Sequence, residues 1–366
     1  MKIKRILKDR RSWWIVLGLM ALLIRIVLPA DTIENYYSRG FFVFFRKAVD
    51  SFTQLIPFPL VYLLFFILLF WLTINIWEFL IKTGKWYEKL GSFTFSLLAL
   101  FGGIVFFFLS MWGYNYGRVS VEKQLGLSAK KLMISDLKLE LDLQTILINQ
   151  LRNELPNITD SAITKKLIPK RLEEEIREDL KRILFQNGFP ISGNVRGRLL
   201  SPSGLLLRIN TAGVYIPFTA EGHIDAGLHA LQIPYVMAHE MSHGYGFGDE
   251  GTCNFWAWLA CSTSDNPFIK YAGELSHWRS LAGNYRFYQE EDYANFFKNV
   301  LPEGIKNDLR AIYQNMDKYP DLFPKLRNAI YDSYLKAQGI EEGIENYERG
   351  MMLIRAWKEK TKELKN

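Results

Sequence analysis

Only two of the 366 residues are cysteine, Cys253 and Cys261, and both fall in one apolar run. Eight residues along a helix span about 12 Å, too far for a disulfide without unwinding. Their spacing matches no cysteine-based zinc pattern, so buried apolar thiols are expected, with Cys253 at most a neighbour of a metal. Histidine is also scarce, at five residues. No low-complexity linker and no internal repeat divides the chain. No basic-aromatic module or nucleic-acid motif is present, which sets aside a nucleic-acid partner despite the net charge of +7. The apolar segments carry few polar groups, which argues against a carrier, because carriers place ionisable groups at the bilayer midplane.

What the chain has in excess is apolar and aromatic side chains, 49% and 15% of the total, concentrated near the N-terminus. Leu55 to Trp77 and Gly91 to Gly117 contain no charged residue. Each is long enough to cross a hydrocarbon layer of about 30 Å as a helix. Trp13 to Ala30 is apolar apart from Arg25, which lies near the segment's outer end, where a long side chain can snorkel to headgroups. The segment is too long, and too poor in a small-residue cleavage site, for a signal peptide. Three membrane helices are therefore expected, at about 13–30, 57–81 and 92–114, within a membrane domain of residues 1–115.

Orientation follows from the basic residues beside the spans. Lys2, Lys4, Arg5, Lys8, Arg10 and Arg11 precede the first, and Lys82, Lys85 and Lys89 lie between the second and third. Residues 31–54, by contrast, balance Arg39, Arg46 and Lys47 against Asp31, Glu34 and Asp50. The positive-inside rule keeps the N-terminus cytoplasmic and puts residues 116–366 outside the cytoplasm.

In that second part the informative stretch is His239-Glu240-Met241-Ser242-His243, an HExxH pattern. On a helix the two imidazoles lie one turn apart on the same face and can reach one metal ion, with Glu240 beside it to take a proton from water. Pro234 suits the first turn of such a helix, and Gly244, Gly246 and Gly248 end it. A zinc hydrolase site needs a third protein ligand and leaves a fourth position for water. Glu250 is assigned as that ligand, at the start of a second apolar helix, with Asp249 as its N-cap. Asn254, four residues on, shares the face of Glu250 and is expected to fix a ligand imidazole by hydrogen bonding. His223, His229 and His277 have no ligand spacing to the motif.

The remainder reads as mainly helical with a small β-sheet. Ser128 to Asn153 and Lys170 to Gln186 are amphipathic helices. Leu205 to Asn210 and Gly213 to Phe218 read as strands about a turn at Thr211-Ala212. Pro217 suits a sheet edge, where an extended peptide could add as a further strand. Beyond Ala260 the chain again reads helical.

HExxH followed by Glu250-x-x-x-Asn254 resembles the gluzincin class of zinc metallopeptidases. The short gap between the two is similar to the ImmA/IrrE-type peptidases. Tyr215 to Thr219, Ile233 to Ala260, Tyr271-Ala272-Gly273 and Tyr331 to Gln338 resemble an uncharacterised bacterial membrane family with three N-terminal spans and an HExxH domain. Thr252 and Cys253 depart from that pattern, which has an acidic residue and an alanine there.

The resemblance implies a multi-pass protein of the bacterial plasma membrane with an extracytoplasmic zincin-like domain over 116–366. It would be a zinc-dependent endopeptidase holding Zn2+ through His239, His243 and Glu250, with Glu240 as general base. Tyr271, in the family-like segment, is the expected donor to the oxyanion, preferred to His277. The expected partners are a peptide or protein substrate close to the membrane, and the lipid bilayer. The alternative is a membrane-bound zinc-containing sensor without general proteolytic activity.

Overall fold

The computed structural model describes residues 9–325, 329, 333 and 346–363. The basic residues Lys2, Lys4, Arg5 and Lys8 lie outside them, as does the stretch 331–338 apart from Ser333. The chain divides into two compact units, Met1–Val119 with Ile216–Ala220, and Ser120–Tyr215 with Glu221–Asn366.

In the first unit, α1 (Arg11–Val27) runs into a segment that is helical almost throughout. That segment comprises residues 30–32, a π-helix at Ile33–Phe41 and α2 (Phe42–Thr53). The break between α1 and the rest bends the path by 112°. Next come α3 (Val61–Ile81) and α4 (Trp86–Met111), both long and apolar enough to cross a membrane. Counting α1 with the bent segment as one span gives up to three crossings; the 17 residues of α1 alone rise about 26 Å against a hydrocarbon core of about 30 Å.

Helices α1 and α4 touch backbone to backbone. A Cβ placed on Gly18 would sit 2.6 Å from the Gly102 carbonyl oxygen, and one on Gly102 would sit 2.5 Å from that of Trp14. Lipid tails are as apolar as leucine, so membrane helices gain from such close contact what they cannot gain from hydrophobicity. Polar contacts flank it. Arg11 Nη1 donates to Ser96 Oγ (2.8 Å) and the Ser92 carbonyl (3.0 Å), and the Tyr114 hydroxyl donates to the Ala21 carbonyl (3.1 Å).

The second unit is mainly helical with a small mixed sheet of three strands, β1 (Arg196–Leu200), β2 (Gly213–Ile216) and β3 (Glu221–Asp225), in the order β1-β3-β2. Strand β1 runs parallel to β3, with Arg196 opposite Glu221 and Leu200 opposite Asp225. The strand expected at Leu205–Asn210 is not there. Leu207–Ile209 instead form a 3-10 turn, and Asn210 is left-handed at φ 51. The cause is Asp225, whose carboxylate accepts the backbone N–H groups of Gly204 (2.7 Å), Leu206 (2.7 Å) and Leu207 (3.1 Å). Those donors would otherwise have served a ladder.

Before the sheet come α5 (Val121–Leu125), α6 (Ile134–Asn153) and α7 (Leu172–Gln186). Helix α6 starts later than its leucine pattern, because the Asp136 carboxylate accepts the Met133 N–H (3.2 Å) and fixes the first turn there. After the sheet come α8 (Ile233–Gly244), α9 (Glu250–Ser262), α10 (Pro267–Tyr288), α11 (Glu290–Asn299), α12 (Glu303–Met316) and α13 (Asn346–Glu363).

Two apolar clusters hold this unit together. One joins α7, α8 and α9 through Ile176, Leu180, Met237, Met241, Phe255 and Trp256. The other joins α6, α10 and α12 through Leu141, Ile148, Tyr271, Trp278 and Leu309. Cys253 and Cys261 are both buried and free.

The substitution Gly102→Leu should lower the thermal midpoint of the detergent-solubilised protein, since overpacking costs about 1–3 kcal/mol. Gly91→Ala, at a position with nothing within 4 Å, should leave it unchanged or slightly higher. Equal midpoints in the two variants would refute the α1–α4 backbone contact.

Candidate metal centre

Helix α8 carries His239, Glu240 and His243, and its position is fixed by glycines in the sheet beneath it. A Cβ on Gly222 of β3 would fall 2.6 Å from Glu240 Cβ, and one on Gly213 of β2 would fall 2.7 Å from Glu240 Oε1. Only hydrogen at those two positions lets the helix lie directly on the strands. The Glu240 carboxylate accepts the backbone N–H of Tyr215, and the Tyr215 ring stacks on His243 at 6.4 Å between centroids. Strand β2, at the sheet edge, therefore borders the site.

A glycine-containing turn then leads into α9. Asp249 caps that helix by accepting the Thr252 N–H (2.7 Å), which starts it so that Glu250 points back at the two rings. His239 Nε2 lies 3.1 Å from Glu250 Oε2 and 3.2 Å from His243 Nε2, and His243 Nε2 lies 3.7 Å from Glu250 Oε1. Ligands bonded at 2.0–2.1 Å to a tetrahedral zinc ion stand about 3.4 Å apart. The three separations bracket that figure.

The outer nitrogens of both rings are already engaged. His239 Nδ1 lies 2.9 Å from Asn254 Oδ1, and His243 Nδ1 lies 2.8 Å from the Phe247 carbonyl. Both partners are acceptors there, so each ring carries its proton on Nδ1 and presents a lone pair at Nε2. Asn254 Oδ1 also accepts from the Tyr235 hydroxyl (3.2 Å), which holds the amide in that orientation. Two imidazole lone pairs and a carboxylate thus converge on one point. This donor set fits a divalent cation, and among the described residues it is the group of histidine, cysteine and acidic side chains that can hold one.

Electrostatics agrees with the geometry. Burial opposes ionisation of Glu250, but the two imidazoles outweigh it and hold its carboxyl well below the usual carboxylate range. Burial likewise opposes a charge on His243, yet Cys253 and Glu250 raise it well above its ordinary value, so the lone pairs that suit a cation also attract a proton. Glu240 goes the other way, pushed up by burial against the pull of both rings. A carboxyl raised in this way is suited to accept and return a proton near neutrality. His239, Glu240, His243 and Glu250 retain only 5–6% exposure each.

Cys253 is a neighbour of this centre without being part of it. Its Sγ lies 3.3 Å from both His243 Nδ1 and the Phe247 carbonyl, beside the outer face of the ring, and burial pushes its thiol up to about 12.

Tyr271 is placed elsewhere. It is fully buried in the α6–α10–α12 cluster, and its hydroxyl donates to Asp308 Oδ2 (2.7 Å), which is also paired with Arg152. Its single proton is thus committed, and the expected donation to an oxyanion has no support from this position. His277 is likewise buried, against Trp258 and Lys358.

A family model described as a protein of unknown function, DUF3810, matches residues 37–354. The chain belongs to the DUF3810 family. No curated protein and no solved structure matches it. The DUF3810 match takes in α3 and α4 as well as the His239–His243–Glu250 group.

The supports from α13 had no signal in the sequence of this DUF3810 protein. Arg349 donates to Asp249 Oδ2 (2.9 Å) and to Glu122 Oε1 (2.7 Å), tying the cap of α9 to α5. At the next residue, a Cβ on Gly350 would lie 2.8 Å from Asn254 Cβ. The C-terminal helix therefore braces both the residue that starts the ligand helix and the residue that orients His239.

His239→Ala should abolish metal uptake by the purified full-length protein, read by mass spectrometry. Asn254→Ala should weaken it by about 10–100-fold, as for other groups that orient a ligand ring. A full metal complement in His239→Ala would remove that residue from the ligand set. Arg349→Ala should destabilise the fold by about 1.5–3 kcal/mol through the lost charge-assisted hydrogen bonds, measured by denaturant unfolding.

Proposed function

We propose that this protein is a membrane-anchored zinc metallopeptidase that hydrolyses peptide bonds, with residues 116–366 forming a zincin-like domain outside the cytoplasm. The observation that carries this reading is the convergence of His239 Nε2, His243 Nε2 and a Glu250 carboxylate oxygen, 3.1–3.7 Å apart, beside a second carboxylate with a raised pKa. With two rings and one acid as ligands, one position stays free for water. A bound zinc ion would acidify that water and polarise the scissile carbonyl.

The residues of the chain supply the rest. Glu240 takes the proton from water and passes it to the leaving amine, a task for which its burial fits it. Asn254 and the Phe247 carbonyl keep the rings turned inward. The outer edge of β2, whose Tyr215 N–H already serves Glu240, can pair with an extended peptide and lay its backbone across the site. The basic residues before α1 and between α3 and α4 support a cytoplasmic N-terminus.

One observation favours a second reading, a zinc-containing sensor. The four central residues are almost entirely buried, as structural zinc sites are. Against it, structural sites are closed by four protein ligands, and three converge here among the described residues.

Glu240→Gln in the full-length protein should keep its metal and lose about 10²–10⁴-fold in hydrolysis of a peptide library, the usual contribution of a positioned general base. Turnover equal to the parent would reject the mechanism. A metal-loaded parent that cleaves nothing in the library would favour the sensor.

A further inference from the structure

The segment between the first two apolar helices wears its polarity inside out. In the π-helix Ile33–Phe41 and α2, the buried residues include Glu34, Ser38, Arg46 and Asp50, while Phe41, Phe44 and Phe52 are exposed. Phe44 and Phe52 each keep 75% of their surface, and Tyr36 keeps 77%. At 100° per residue, Phe41, Phe44, Ala48 and Phe52 fall within about 80° of one another around the axis, and Phe42, Arg46, Asp50 and Thr53 fall on the other side. A water-facing helix would have the opposite arrangement, and an exposed aromatic stripe of this kind marks a contact surface.

The buried charges are matched. Arg46 Nε donates to Asp50 Oδ2 (2.8 Å), and Glu34 is paired with Arg39 (2.7 Å) and Arg118 (2.8 Å). Glu34 and Arg39 are five apart, the spacing a π-helix brings together. The polar side of the segment is also anchored to the C-terminal end of α4. Ser38 Oγ donates to Asn115 Oδ1 (2.8 Å), and the Tyr37 hydroxyl donates to the Ser110 carbonyl (3.0 Å). That is the level at which an apolar span ends and headgroups begin, where amphipathic aromatic residues gather. The 112° bend after α1 turns the segment away from the direction of the span.

We propose that residues 33–53 lie in the membrane–water interface as a lipid-facing shelf, with Tyr36, Phe41, Phe44 and Phe52 set among the phospholipid acyl chains and the Glu34, Arg46 and Asp50 charges turned in to the protein. The occupant of the aromatic face is the bilayer itself. Charges paired against protein, with rings left outward beside two membrane-crossing helices, suit a surface built to meet lipid. On this assignment α1 is a short span ending in an interfacial elbow.

The test uses the full-length protein in phosphatidylcholine–phosphatidylglycerol nanodiscs with a nitroxide at Phe44→Cys or Phe52→Cys. Lys85→Cys, in the exposed turn between α3 and α4, is the aqueous control. The native Cys253 and Cys261 are fully buried and should take up no label. At positions 44 and 52, collision with oxygen should exceed collision with a water-soluble nickel chelate several-fold over the ratio at position 85, with similar depths for the two. Chelate-dominated collision at both positions would overturn the proposal and place the segment in water. Labels shielded from both reagents would overturn it in favour of a protein partner, and a large difference in depth would overturn it in favour of a re-entrant loop. An unchanged thermal midpoint in each labelled variant shows that the reading comes from the native fold.

Discussion

Three electron-rich atoms 3.1–3.7 Å from one another repel unless something positive lies between them, and the second unit is arranged to hold them there regardless. Each is pinned from behind. The rings are turned by acceptors at their outer nitrogens, and the carboxylate is aimed by a helix whose first turn is capped. Beneath them the sheet gives way at two glycines so that α8 can settle onto it. The common effect of these supports is to keep two imidazole lone pairs and an anion in register, which is preorganisation for a cation.

The parts of this arrangement that follow helix periodicity were legible in the sequence. His239 and His243 share a face because they are four apart, and Asn254 follows Glu250 by the same interval. The glycines after His243 mark the turn that reverses the chain between the two helices. Contacts that depend on distant segments were not legible. Tyr271 follows the ligand helices closely in sequence, but α10 carries it into the other apolar cluster, where Asp308 takes its hydroxyl. Leu205 to Asn210 has the composition of a strand, and the carboxylate of Asp225 folds it into turns. Strand β1 went unread because Arg196-Gly197-Arg198 breaks the apolar pattern, while Gly197 is what admits Met237 and Met241 from the helix above.

The first unit, with its candidate membrane-spanning helices, distributes its polarity differently. Where water is the surroundings, apolar side chains are withdrawn and charges left outside, as on α7. Between Ile33 and Thr53 the preference is reversed on one face, and Glu34, Arg46 and Asp50 are withdrawn in pairs while Phe41, Phe44 and Phe52 stay out. A hydropathy profile averages over both sides of a helix and so does not separate them. The burial of each side separately is what distinguishes this segment.

The brace from Arg349 and Gly350 has a bearing on timing. Asp249 and the guanidinium that holds it are separated by 100 positions, so a nascent chain that has already made both imidazoles and their acid still lacks the strut behind them. The full set of contacts around His239, His243 and Glu250 therefore forms only once the chain has been made through Gly350.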